Sequence, residues 1–121
     1  MESIDPEEVE EVTDFMKSIY ELLAVYLPGD TTLNELRVLT AVALASKRDG
    51  KGTSVSEIAD ETGISRATVS RLIAQWTEAD QIREDPHPSD GRRRILGFTE
   101  KAHSLNREWS TKMWKVMKGV D

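Results

Sequence analysis

The chain of 121 residues contains no cysteine. Disulfides, cysteine-ligated metal and thiol redox sensing are thereby excluded. No apolar run approaches the roughly 20 residues needed to span a bilayer. Residues 1–24 are acidic, with neither a basic n-region nor an apolar h-region, so they do not read as a signal peptide. A cytoplasmic protein with no membrane partner is expected. Histidine is scarce: His87 and His103 are the only two, and they lack metal-like spacing. No nucleophile–base pairing, phosphate-cradling glycine loop or metal motif is present either. The sequence therefore predicts no catalytic residue, no metal and no cofactor, and the chain is not read as an enzyme.

The charge present is unevenly placed. The formal net charge is −6, yet residues 1–35 hold ten acids and one base, which leaves residues 36–121 with twelve acids, fifteen bases and a net of +3. A nucleic acid senses the local face, because salt screens charges beyond roughly 8–10 Å. A distant acidic helix weakens attraction to phosphate without forbidding it. Residues 2–14 are read as a solvated helix start.

Asp5 and Pro6 open that first helix, as a cap for free amides and a residue suited to the first helical position. Val9, Val12, Met16, Ile19, Leu23 and Tyr26 then recur at helical spacing, a one-sided apolar stripe ended by Pro28 and Gly29. Thr32 with Glu35 predicts a capping box for a second helix. Its buried face is read as Leu36, Leu39, Ala43 and Leu44, and its end as near Lys47. Arg48 to Thr53, with Gly50 and Gly52, reads as a flexible connection. At the far end, Thr99 caps a last helix whose stripe is Ala102, Leu105, Trp109, Met113, Val116 and Val120. Trp109, Trp114, Tyr20 and Tyr26 fit core or a dimer seam better than a ligand pocket. There is no internal repeat and no low-complexity segment.

Between these arms lies the stretch that organises the chain, Ser54 to Phe98. Ser54 with Glu57 predicts a third helix through Ile58 and Ala59 to Thr62. Ala59 is small enough for a neighbouring helix to approach, and Gly63 can take the left-handed conformation that ends a helix. Ser65 caps a fourth helix running to about Ala79, with Val69, Leu72, Ile73 and Trp76 inward. This is a helix-turn-helix pattern, whose second helix can lie in a DNA major groove. Its outer face near the N-terminus carries Ser65, Arg66, Ala67, Thr68, Ser70 and Arg71. Arginine can bridge guanine N7 and O6, worth roughly 1–3 kcal/mol of discrimination, and alanine or threonine can meet a thymine methyl. Ile82 to Asp85 and Arg93 to Phe98 read as two strands of a hairpin, with Leu96 and Phe98 on one side. Pro86, His87, Pro88, Ser89, Asp90 and Gly91 are expected outside the strand pair, at the tip. Arg92, Arg93 and Arg94 follow, Arg92 and Arg94 on one face, and Asp90 is placed to hold one guanidinium while phosphates or a narrow minor groove receive the others.

The helix-turn-helix, the D-x-R-x-R motif at Asp90, Arg92 and Arg94, the pair Phe98-Thr99 and the segment LNELRVLTAVA from Leu33 to Ala43 resemble the MarR family of winged-helix transcriptional regulators. The resemblance covers roughly residues 30–105 and is most specific in the wing. It implies that Arg92 or Arg94 enters the minor groove, oriented by Asp90, while the recognition helix reads the major groove. It also implies a small-molecule effector pocket between the dimerisation and DNA-binding parts. Members of that family are usually somewhat longer, an extra C-terminal helix completing the dimerisation domain, and this chain stops at Asp121, about where that helix would begin.

The expectation is thus a mainly α, winged helix-turn-helix protein with long N- and C-terminal dimerisation helices. It forms a single domain over 1–121, with a DNA-binding core at 30–98 and helical arms at 5–27 and 99–120. Its partners are double-stranded DNA and a second copy of itself, with recognition helix 65–79 and wing 82–98 on the duplex. Two rival readings remain: a winged helix that binds protein, favoured by the acidic balance and opposed by the arginines, and a plasmid or phage replication or partition initiator.

Overall fold

The computed structural model describes residues 2–48 and 52–119. Among them the chain forms α1 (Pro6–Tyr26), α2 (Leu33–Arg48), α3 (Val55–Thr62), α4 (Arg66–Glu78), β1 (Ile82–Pro86), β2 (Arg94–Phe98) and α5 (Glu100–Lys118). This is the expected class, mainly helical with one small antiparallel hairpin. The chain divides into two compact units, one of Met1–Asp30 with Leu105–Asp121, the other Thr31–Ser104. No helix among the described residues is long and apolar enough to cross a membrane.

The second unit has a closed core built from α2, α3, α4 and the hairpin. Val38, Val42, Ile58, Val69, Leu72, Ile73, Ile82 and Leu96 are all buried there. Ala59 is buried where α3 meets α4, and Trp76 and Phe98 pack partly against the cluster, as their spacing predicts. The expected face of α2 needs correction. Among its described side chains Val38, Ala41 and Val42 are the buried ones, whereas Leu36, Leu39 and Ala43 are half-buried and Leu44 is 39% exposed. α2 carries two overlapping apolar stripes, and small or β-branched side chains at i, i+3 and i+4 form the one that lets α3 and β2 approach.

Sheet pairing brings a second correction. The register is Ile82↔Phe98 through Pro86↔Arg94, so Pro86 closes β1 instead of lying outside it. His87 N donates to Arg93 O at 3.0 Å, one step further along the ladder. Pro86 therefore occupies a non-hydrogen-bonded pair, where a missing N–H costs the ladder nothing. On the other edge of β2, Leu96 N donates to Thr53 O at 2.7 Å, and Thr53 is buried. The end of the predicted flexible connection is thus built into the sheet. Gly52 has φ +78, and a Cβ there would collide with Ile95 Cγ2 and lie 2.9 Å from Leu96 O. Gly50, in the same predicted connection, lies outside the described residues.

The first unit is different. α1 starts with a complete capping box: Glu8 N donates to Asp5 Oδ1 at 2.9 Å, and Asp5 N to Glu8 Oε1 at 3.1 Å. Its predicted stripe, however, is not buried in this chain. Val9, Val12 and Met16 are exposed, and Ile19, Leu23 and Tyr26 are half-buried. On the part of α5 in this unit, Met113 is buried, Trp109 and Val116 are half-buried, and Leu105, Trp114 and Met117 are exposed. Val120, the last residue of that predicted stripe, lies outside the described residues. Lys112 Nζ sits 5.2 Å from the Tyr26 ring centroid, a cation–π contact between α1 and α5.

Candidate nucleic-acid interface

The reading surface starts at the turn between α3 and α4. Gly63 caps α3 in the left-handed conformation, φ 75°, and its N–H donates to Ala59 O at 2.9 Å. Arg37 of α2 donates from Nη2 to Thr62 O, satisfying a carbonyl at the end of α3. Ser65 Oγ accepts from Thr68 N at 3.2 Å and donates to Thr68 Oγ1 at 3.0 Å. Ile64, buried between the two caps, pins the turn to the core.

With Val69, Leu72 and Ile73 turned inward, Ala67, Ser70 and Arg71 stand on the opposite, exposed side of α4. Arg66 is exposed on one flank. Thr68, on the other, is half-buried, and its hydroxyl is engaged by Ser65. The start of α4 also differs electrostatically from every other helix. α1, α2, α3 and α5 each carry an acid in the first turn, and α4 carries none. Its positive dipole end therefore receives no carboxylate from its own first turn, and its cap is the neutral Ser65 hydroxyl.

The wing tip is held by short backbone and side-chain bonds. His87 Nδ1 accepts from Ser89 N at 3.1 Å and Asp90 N at 3.2 Å, and Arg93 N donates to Asp90 O at 3.0 Å. Asp90 Oδ1 accepts from Arg92 N at 3.1 Å and lies 3.8 Å from Arg92 Nε. Asp90 thus stands beside Arg92, whose side chain is 97% exposed. Arg93 reaches α3 instead, its Nη2 lying 3.3 Å from Glu57 Oε1. Arg94, at the start of β2, is exposed and makes no ion pair among the described residues. Of the residues predicted for the site, the structure therefore joins Ser65 to Thr68 and Asp90 to Arg92, and draws Arg93 aside. Glu57, His87, Thr53 and Arg37 were not anticipated here. Glu57 was read only as a helix cap, and its ion-pair partner Arg93 lies 36 residues away in sequence.

Two helices joined across the Gly63 turn and followed by an arginine-tipped hairpin define a winged helix-turn-helix protein. The chain belongs to the MarR family, whose model matches residues 30–93. The solved structures it resembles carry the same fold. They include MepR of S. aureus bound to ethidium bromide, with TM-score 0.71 and 17% identity over 96% of this chain and 79% of that one. A MepR mutant bound to an oligodeoxyribonucleotide gives TM-score 0.68 and 16% identity over 97% and 82%. Wild-type apo MarR of E. coli gives 0.59 and 17% over 99% and 88%. Among curated proteins, none matches the chain significantly by sequence.

Proposed function

We propose that this protein is a sequence-specific, double-stranded-DNA-binding transcriptional regulator that works as a homodimer, without enzymatic activity. α4 lies in the major groove, where Arg66, Ala67, Ser70 and Arg71 meet base edges and Ser65 and Thr68 shape the entry. The wing follows the minor groove, with Arg92 as the inserted arginine, Asp90 as its orienter and Arg94 on phosphate. Residues 30–98 act as the DNA-binding core, and 5–27 with 99–120 as dimerisation arms.

The observation that carries this reading is the start of α4. Among the described residues it is the one helix N-terminus without an acid in its first turn, and it presents short polar and basic side chains outward. Such an end suits phosphate and base edges. Family membership and the oligonucleotide-bound MepR relative point the same way. The dimer is supported by the apolar residues that α1 and α5 leave exposed. Two copies would set their recognition helices about 34 Å apart on a pseudo-palindrome. A small-molecule effector belongs to the same reading, given the ethidium-bound relative.

Selection of bound sequences from a random duplex library tests the whole proposal. A palindromic consensus with half-sites one helical turn apart is expected. Recovery of unenriched sequence at physiological salt would overturn it.

A further inference from the structure

We propose that Glu57 is a positioning residue for DNA binding: its carboxylate latches the wing to α3 through Arg93, so Arg93 works inside the protein while Arg92 and Arg94 face the duplex. This rests on the DNA-binding reading above, and it parts the three wing arginines into two kinds.

Glu57 stands at the third position of α3, where a glutamate commonly turns back to the cap residue. α1 shows the complete form of that motif, with Asp5 and Glu8 bonded both ways. In α3 only half of it is made: Ser54 Oγ accepts from Glu57 N at 3.2 Å. The carboxylate itself is directed away. Oε1 receives Arg93 Nη2 at 3.3 Å, and Oε2 receives a long bond from Thr53 Oγ1 at 3.4 Å. Thr53 is the buried residue whose carbonyl holds β2 through Leu96 N. One carboxylate therefore joins the start of α3, the edge of the sheet and the wing.

Arg93 is placed to pass that restraint on. Its N–H donates to Asp90 O and its carbonyl accepts from His87 N, each at 3.0 Å, so its backbone closes the hairpin. Its neighbours are Arg92 and Arg94. Fixing Arg93 to α3 fixes the base from which both project. A guanidinium already facing a carboxylate gains less from a phosphate than one facing water, and Arg92 is almost wholly exposed.

The pair is half-exposed on both sides, so the effect is modest, and its sign carries the test. Near a polyanion, losing an acid tightens binding by simple electrostatics. The latch predicts the reverse. Glu57→Gln, which keeps shape and loses charge, should weaken binding to the selected site by about two- to five-fold, with the salt slope unchanged. Arg93→Ala should weaken it similarly, again without the slope falling by the roughly 0.9 that each phosphate left without its cationic partner would bring. The reversed pair, Glu57→Arg with Arg93→Glu, should recover most of the affinity. Without DNA, trypsin should cleave after Arg92, Arg93 and Arg94 about two- to five-fold faster in Glu57→Gln, at unchanged melting temperature. Tighter DNA binding by Glu57→Gln, a reduced slope for Arg93→Ala, or unchanged tryptic cleavage would each overturn the latch. The cleavage measurement needs no DNA, so it judges the latch even if the proposed operator binding fails.

Discussion

The two units of this chain treat apolar side chains in opposite ways. Thr31–Ser104 closes over Ile58, Val69, Leu72, Ile82 and Leu96 and leaves its charged and short polar residues outside. In Met1–Asp30 with Leu105–Asp121, Met113 is the one buried hydrophobic residue among those described, while Val12, Tyr20, Val25, Trp114 and Met117 are more than half exposed. Both units contain amphipathic helices with good caps, so helix formation is not what separates them. The difference is that three helices and a hairpin can surround a core, whereas two helices cannot cover both of their own stripes. An apolar surface of that kind marks an interaction site. In the proposed function the first unit is half of an interface and the second a self-sufficient reading head.

The largest predicted effect tests the first half of that contrast. Met16→Glu combined with Ile19→Glu places two charges in the proposed seam. A buried, unpaired carboxylate costs several kcal/mol, so dimer dissociation should rise on the order of a thousandfold or more. Sedimentation checks this, and the unfolding transition of the second unit should survive. Wild-type protein that stays monomeric at high micromolar concentration would break the comparison outright.

Next in size is a change inside the closed core. Leu72→Ala should cost about 2–5 kcal/mol, as large-to-small core substitutions do, with no dependence on protein concentration. Val12→Ala in the first unit should behave otherwise, its cost appearing only as a concentration-dependent shift. Urea denaturation at two concentrations separates the two behaviours. A similar concentration dependence for both variants would erase the distinction between core and seam.

Gly52→Ala should follow, costing about 1–3 kcal/mol because the residue sits at positive φ against Ile95 and Leu96. Thermal unfolding gives the cost, and faster exchange at Leu96 N–H, whose acceptor is Thr53 O, locates it. This site also shows where sequence reasoning reaches its limit. The helix-turn-helix was legible because its signals are local: a serine cap, a left-handed glycine, apolar residues three and four apart. The burial of Thr53 was not, since one bridge to β2 leaves no periodicity. On α2, both apolar stripes satisfy the helical period, and only the shape of the neighbours selects Val38, Ala41 and Val42 over the leucines. Glu57 matched a cap motif, and nothing near it announces a guanidinium 36 residues away. At the wing tip, Asp90 was legible as a turn acid, but which arginine stood beside it was not.

The smallest effect lies at that tip and tests whether the second unit's polar surface is a reading surface or only a solvated one. Asp90 accepts one hydrogen bond from Arg92 N–H, and its carboxylate stands beside the Arg92 guanidinium at a looser 3.8 Å. A hydrogen bond of this kind contributes about 0.5–1.5 kcal/mol, so Asp90→Ala should weaken DNA binding by no more than that. Simple electrostatics predicts the opposite, because an acid beside phosphate repels it and its removal helps. The two accounts differ in sign, which a titration against the selected duplex resolves even when the change is small. Arg92→Ala supplies the companion measurement: if Arg92 neutralises one phosphate per subunit, the salt slope should fall by roughly 1.8 in a symmetric dimer. Weaker binding by Asp90→Ala together with a reduced slope for Arg92→Ala would mean that the aspartate acts through the arginine. Tighter binding by Asp90→Ala would leave Asp90 as a turn residue alone, since a side chain whose removal helps cannot have been orienting the arginine toward DNA.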